Sequence, residues 1–202
     1  MSHNHSKALE EITCEDVTDE LVASYAQKGY TMFFAEEVMR YDLSQGLPQI
    51  ITPPELTFRT WSAENSHDFF LTFQASFRER PGFPGWSEEA WINWTSDAPT
   101  FRPDLSYLTV IQDQPVGFIT NEDDDRSSEP AGYINQIGVP PQWRHRGIGA
   151  VLVTRSLQAW QADSKKLVTL HVNVNNPGAK SLFQKVGFVI VGRRGKFRKQ
   201  SE

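Results

Sequence analysis

One stretch constrains this chain more than any other: Val139-Pro140-Pro141-Gln142-Trp143-Arg144-His145-Arg146-Gly147-Ile148-Gly149-Ala150. A strand-like run from Tyr133 to Val139 leads into it, and a helix-like run from Ile148 to Gln161 leaves it. A helix start of this kind presents free backbone N–H groups and the positive end of the helix dipole. Glycines let an anion approach those groups, so the turn reads as a cradle for phosphate or pyrophosphate, with Arg144 and Arg146 as cationic partners. A plain helix–sheet turn, its glycines only relieving crowding, is the competing reading of the glycines alone. Two better-known cradles do not fit. No GxxxxGK[ST] occurs, and Leu152 follows Gly147 and Gly149 where GxGxxG needs a third glycine.

The surroundings of the turn read as a mixed α/β domain. Ala63 to Arg80 has Phe69, Phe70, Phe73 and Phe77 at helical spacing, and Pro81 to Gly85 breaks it. Ser87 caps a second helix through Trp94. Strands follow at Tyr107–Ile111 and Val116–Thr120 around the turn Gln112-Asp113-Gln114-Pro115. The polar run Asn121–Pro130 is expected to be a solvated hairpin loop, with an acidic docking site for a cationic substrate as the lesser reading. Leu167–Val174 is a further strand, so the segment 133–174 predicts a parallel pair joined by a crossover helix. Asn176 and Pro177 open another helix, Gly187 closes it, and Phe188–Val191 is the last strand. The basic tail Arg193–Lys199 is expected to be a solvated end.

Composition removes several function classes. Twenty Lys and Arg against 25 Asp and Glu leave a formal charge of −5, which argues against coating nucleic acid by bulk charge. No apolar run is long enough to span a membrane, and the polar start MSHNHSKALEE has no signal core. The single Cys14 permits no internal disulfide and fits a cytoplasmic location. No HxxxH or His/Cys cluster predicts a metal; His3 and His5 sit in a polar tail and His67 at a helix start.

Two motifs then stand together. V-x-P-x-x-R-x-x-G-I-G from Val139 to Gly149 resembles the acyl-CoA pyrophosphate motif of the GNAT superfamily of N-acetyltransferases. Downstream, N-x-x-A-x-x-L-F-x-x-x-G-F from Asn176 to Phe188 is similar to a helix motif of that family, with Phe183 in place of the usual tyrosine. The resemblance covers roughly residues 58–194. It implies a mixed, splayed β-sheet flanked by helices, with acetyl-CoA held in the opening between the strands at 133–139 and 167–174. It further implies that backbone groups of Ile137, Gly138 and Val139 meet the pantetheine arm. His145, Arg146, Gly147, Ile148, Gly149 and Ala150 would hold the pyrophosphate after Arg144, and Asn176 and Phe183 would contact the cofactor arm.

Acyl transfer from a thioester to an amine needs a proton acceptor, donors for the oxyanion, and help for the leaving thiolate. No cysteine lies in this region, which favours direct attack in a ternary complex. The strand position where the family often carries a carboxylate holds Tyr133, with Asn135 two residues on. On the later strand, alternation puts Thr169, His171 and Asn173 on the polar face, so His171 is the expected base, directly or through water. Phe183 has no proton to give, so Tyr133 or water would serve the thiolate. Phe77, Phe83, Trp86 and Trp91 are expected either to wall the acceptor cleft or to be core. The leading expectation is an N-acetyltransferase acting on a small-molecule or peptide amine. A catalytically silent acyl-CoA-binding domain competes with it, on the strength of Phe183 and the missing strand carboxylate.

At roughly 150 residues per domain, 202 residues leave a surplus. Ala26-Gln27-Lys28-Gly29-Tyr30 echoes Phe183-Gln184-Lys185-Val186-Gly187-Phe188 with one residue deleted. Families with two acetyltransferase domains in one chain, such as mycothiol synthase, end their first domain in this way. Residues 1–57 are therefore expected to be a helix–strand extension and linker, the remnant of a preceding domain, and 58–202 the acyltransferase. The strand near Phe33–Leu43 would join this sheet or, in a homodimer, that of a second chain.

Overall fold

Period-two alternation sorts the strand side chains of this protein onto two apolar faces, and the helices divide between them. The computed structural model describes residues 10–80 and 82–199. Strands β1 (Glu11–Cys14), β2 (Tyr30–Asp42), β3 (Thr57–Thr60), β4 (Tyr107–Ile111), β5 (Gln114–Asp123), β6 (Ala131–Gly138), β7 (Leu167–Asn173) and β8 (Val189–Lys199) form one sheet. Their order is β1-β8-β2-β7-β6-β5-β4-β3. The β6–β7 pair is parallel and the others are antiparallel. The helices are α1 (Asp19–Gln27), α2 (Ser66–Phe77), α3 (Glu88–Ser96), α4 (Ile148–Ala162) and α5 (Pro177–Val186).

On one face, Met39, Tyr41, Ile119, Ile134, Val168, Leu170 and Val172 pack against Val151, Leu152 and Leu157 of α4 and Phe183 and Val186 of α5. On the other, Leu108, Val110 and Phe118 pack against Phe69, Phe70 and Phe73 of α2 and Trp91 of α3. The sheet residues in that second cluster come only from β4 and β5, so the polar side chains of β6, β7, β2 and β8 on this face lie outside it.

The caps behave as their residue types dictate. The Ser87 hydroxyl accepts from Ala90 N at 3.2 Å and the Asn176 side chain from Ala179 N at 3.2 Å, each satisfying an orphan donor of a first turn. The 63–80 periodicity resolves into a short 3₁₀ turn at Ala63–Asn65 and then α2. The β4–β5 turn is tighter than the sequence predicts. Gln112 and Asp113 both take positive φ, 47° and 64°, the conformation of a two-residue hairpin turn, so β5 starts at Gln114.

Two segments differ from expectation in instructive ways, and a third resolves an open choice. The run from Asn121 is not wholly a solvated loop: β5 continues to Asp123, and Asn121 is fully buried. Its Nδ2 donates to Leu105 O at 2.6 Å and its Oδ1 accepts from Ser156 Oγ at 2.8 Å and Trp160 Nε1 at 3.3 Å, so burial costs it no hydrogen bond. The basic tail is strand, because Arg193–Lys199 pairs with both β1 and β2. The 33–43 strand is β2, seated between β7 and β8 of this same sheet. Among the described residues, no helix is long and apolar enough to cross a membrane.

Candidate active site

The opening in the sheet comes from how β6 and β7 part. They pair from Ala131↔Leu167 to Ile134↔Leu170, and there their register ends. Beyond that point β6 stays with β5 as far as Gly138↔Phe118, while β7 stays with β2 as far as Asn173↔Glu36. A bulge drives the parting. Thr120 faces Gln136 and Asn121 faces Ile134, so Asn135 is the extra residue that bends β6 away. Asn135 to Gly138 and His171 to Asn173 therefore flank a gap.

Below that gap, β6 runs into the glycine turn. His145 takes φ +61° and Gly147 φ +79° as the cap of α4, and no side chain caps that helix start. A Cβ built on Gly147 would meet nothing within 4 Å, so the space over the first turn is open. The residues from Arg144 to Gly147 are exposed while Ile148 is buried as the anchor. Open space, uncapped N–H groups and the dipole fit an anion such as a pyrophosphate. Arg144 is committed elsewhere. Its Nε donates to Val139 O at 3.0 Å and its NH2 group to Ser76 O at 2.9 Å, tying the turn to α2. Arg146 lies over the Trp143 ring, 4.7 Å from its centroid. Gly149 lets α4 approach α5, since a Cβ there would sit 3.0 Å from Leu182 Cδ2. Asn176 caps α5, and Phe183 is buried in the α4–α5 core, its ring 5.8 Å from that of Phe188.

Above the gap, side chains from four strands meet. Tyr133 Oη lies 3.2 Å from His171 Nδ1, and an N–H of Arg194 on β8 reaches the same nitrogen at 3.0 Å. Arg194 Nε is 3.6 Å from Glu36 Oε2 on β2. Arg126, from the β5–β6 loop, lies over the Tyr133 ring at 4.3 Å and pairs with Asp124 at 2.9 Å. Thr169 Oγ1 donates to the Asp124 carboxylate. Burial raises Tyr133 to about 12, so its phenol stays protonated. Burial first, then Arg126 and Arg194, lowers His171 to about 4. The expected base is thus a neutral and weak one at pH 7.

Two carboxylates that sequence reasoning misses complete this side. Glu122 stands directly opposite Tyr133 across β5 and β6, and burial raises its pKa. It accepts from Asn135 Nδ2 and from Thr100 Oγ1, the latter at 3.4 Å. Glu36 is likewise raised by burial. Glu122 lies inside the polar run that reads as loop. No local signal places Glu36, because its strand reaches the site only through the order of the sheet.

The aromatic group divides. Trp91 is fully buried, stacks on Phe73 at 4.8 Å and donates Nε1 to Gln136 Oε1 at 3.1 Å, so it is core and has no surface to offer an acceptor. Phe77, Phe83 and Trp86 pack on the edge of that cluster and remain part-exposed. His67 pairs with Glu88 at 2.8 Å, and His3 and His5 lie outside the described residues.

Comparison with known proteins gives the family and the fold. The acetyltransferase (GNAT) family model matches residues 60–188. A mycothiol acetyltransferase of Acidothermus cellulolyticus is 25% identical over 163 residues, 74% of this chain and 50% of that protein. The N-alpha-acetyltransferase MAK3 of Arabidopsis thaliana is 34% identical over 87 residues, 43% of this chain and 46% of its own length. In fold, a GCN5-related N-acetyltransferase from Sphaerobacter thermophilus superposes with a TM-score of 0.76 at 23% identity, covering 95% of this chain and 60% of that one. The chain spans about half the length of the curated relatives it matches.

Proposed function

The chain belongs to the acetyltransferase (GNAT) family, and from that premise we propose that it transfers an acetyl group from acetyl-CoA to an amine, both bound at once. The observation that carries the reading is where one strand leads. β6 parts from β7 at Ile134, ends at Gly138 and leads through a 3₁₀ turn at Pro141–Trp143 to the open, uncapped start of α4. An acyl carrier with a long arm and a pyrophosphate needs such a slot with an anion site at its end.

In this reading the N–H groups of 145–150 hold the pyrophosphate, and the backbone of Ile137 and Gly138 on β6 and of Val139 just after it lines the arm. Asn176 and Phe183 shape the far wall by fixing and packing α5. Bound acetyl-CoA supplies an activated acyl thioester. The protein supplies orientation and proton control. Tyr133, whose pKa burial raises to about 12, stays protonated near neutral pH and would donate a hydrogen bond to the thioester or its leaving sulfur. Asn135, the bulge residue, is held by Glu122 and keeps β6 bent. Cys14, the chain's one thiol, sits in β1, remote in sheet order from β6, so direct attack needs no acyl-cysteine. Phe77, Phe83 and Trp86 form the acceptor rim.

The same reading takes 58–202 as the transferase unit and 1–57 as the closing helix and strand of an acetyltransferase-like unit, with β2 built into the sheet. Glu36 and Glu122 place carboxylates beside Tyr133 and His171, the kind of group whose absence from β6 and β7 favoured a silent binding domain. Calorimetry with acetyl-CoA, followed by thiol release over a panel of small amines, peptide N-termini and lysine, tests the proposal. Micromolar binding with thiol release for at least one amine is expected. Binding without release from any amine returns the silent-domain reading; no binding removes both.

A further inference from the structure

Resting on the acetyl-transfer reading, we propose that Glu36, delivered by β2, takes the proton from the acceptor amine, and that Arg194 is the positioning residue that keeps His171 out of that role. Which atoms can accept a proton decides between the two. Arginine carries only N–H donors and is not deprotonated in proteins. An Arg194 N–H lies 3.0 Å from His171 Nδ1, so that nitrogen must present its lone pair. The ring's own proton is then on Nε2. To act as a base, His171 would have to take a second proton at Nδ1, against the Arg194 cation and near Arg126. The groups around it leave little to offset this: Tyr133 of β6 is a neutral phenol, and Asp124 is already engaged by Arg126 and Thr169.

The two carboxylates are not equivalent. Both oxygens of Glu122 are engaged, one by Asn135 and the other by Thr100, and Glu122 lies on the β5 side of Tyr133, away from the gap. Glu36 lies on the gap side, paired in register with Asn173, the last residue of β7. Its contact with Arg194 at 3.6 Å is an ion pair longer than a hydrogen bond, which leaves its lone pairs open. The charges that act on it come from three directions: Arg194 and Lys196 on β8, Arg80 on the loop after α2, and Glu15 before α1. Arg80 lies in the loop between Phe77 and Phe83, its N–H donating to Phe77 O at 2.8 Å and its O accepting from Phe83 N at 3.0 Å. Glu36 shares Arg194 with His171, whose Nδ1 lies 3.2 Å from Tyr133 Oη, and it is half-buried, where a carboxylate gains basicity.

The step balances without any further reactant. One N–H bond of the acceptor ammonium breaks and an O–H bond forms on Glu36, directly or through one water. The neutral amine forms the C–N bond as the C–S bond breaks. The second amine proton ends on the departing sulfur, with the Tyr133 hydroxyl as the donor in between.

Two measurements test this, and the first needs no acceptor. A ¹⁵N NMR titration of His171 in the full chain is expected to show the Nε2–H tautomer, neutral down to about pH 5. An Nδ1–H tautomer, or titration near the ordinary histidine value, overturns the proposal whatever the enzyme's substrate. The second uses the best amine from the panel. Glu36→Gln keeps an oxygen for Arg194 but cannot take a proton. Its kcat is expected to fall about 100-fold or more, with acetyl-CoA affinity within twofold and the acidic limb of the kcat/KM profile gone. Glu36→Asp should restore part of the rate and the limb. Retention of kcat within threefold in Glu36→Gln overturns the proposal, as does loss of the limb in Glu122→Gln instead. A wild-type protein that binds acetyl-CoA yet releases thiol with no amine fails the acetyl-transfer reading, and the His171 titration then decides the tautomer half alone.

Discussion

The two sides of the gap between β6 and β7 are built on opposite plans. The lower side, at the start of α4, is made of backbone: N–H groups of one short segment, shaped by Gly147 at φ +79°. The upper side is made of side chains from distant parts of the chain: Glu36, Glu122, Tyr133, His171 and Arg194 on five strands. A backbone site depends on local conformation and tolerates changes elsewhere. A side-chain site depends on the order of the sheet and fails when any contributing strand is displaced.

The sharpest way to break this contrast is to remove residues 1–50. The glycine turn is untouched, yet β1, α1 and β2 are lost, and β7 and β8 are left with open edges. We expect no soluble, cooperatively folding protein, by expression yield and circular dichroism. A soluble deletion that binds acetyl-CoA as tightly as the full chain would show that β2 is dispensable.

The next effect falls on the backbone side alone. Gly147→Glu puts a side chain at a left-handed position, which costs about 1–2 kcal/mol, and adds a negative charge where the anion would lie. Acetyl-CoA affinity should drop by at least about 100-fold by calorimetry. Gly147→Asn, a residue that tolerates positive φ, should lose far less. Tyr133→Phe asks the matching question of the other side. It removes one hydroxyl and leaves the ring, so kcat should fall by about 10–100-fold with acetyl-CoA affinity unchanged. If both variants lowered affinity equally, the division into two sides would be wrong.

This division also governs what is legible in the sequence. The glycine turn, α4, α5 and the parallel strands can be read because each is set by neighbours within a few residues. Alternation puts His171 on the correct face, since Val168, Leu170 and Val172 do face the core. Its role cannot be read, because Arg194 and Arg126 arrive from β8 and from a loop. Asn121 misleads for a different reason. A polar residue reads as exposed, and its burial is tolerable because Leu105 O, Ser156 and Trp160 satisfy its side chain. Trp91 fits rim or core equally well in sequence, and the choice rests on where α3 lies against β5.

The smallest effect is a pH dependence of stability, and its sign separates His171 from the carboxylates. His171 has a folded value of about 4 against an ordinary value near 6.5. Between those values the unfolded chain binds the proton and the folded chain does not. The contribution of His171 is therefore fully present above about pH 6.5 and is lost as pH falls toward 4. Allowing for solvent screening at a part-exposed ring, this is about 1–2 kcal/mol. Glu36 and Glu122 act in the other direction, because their raised values let the folded state take up protons more readily as pH falls. Urea unfolding at pH 7.5 and pH 5 should therefore give a smaller loss for His171→Asn than for the wild type. Equal losses in both would mean that His171 titrates in the folded state much as it does unfolded, and the Arg194 contact would then not be setting its charge.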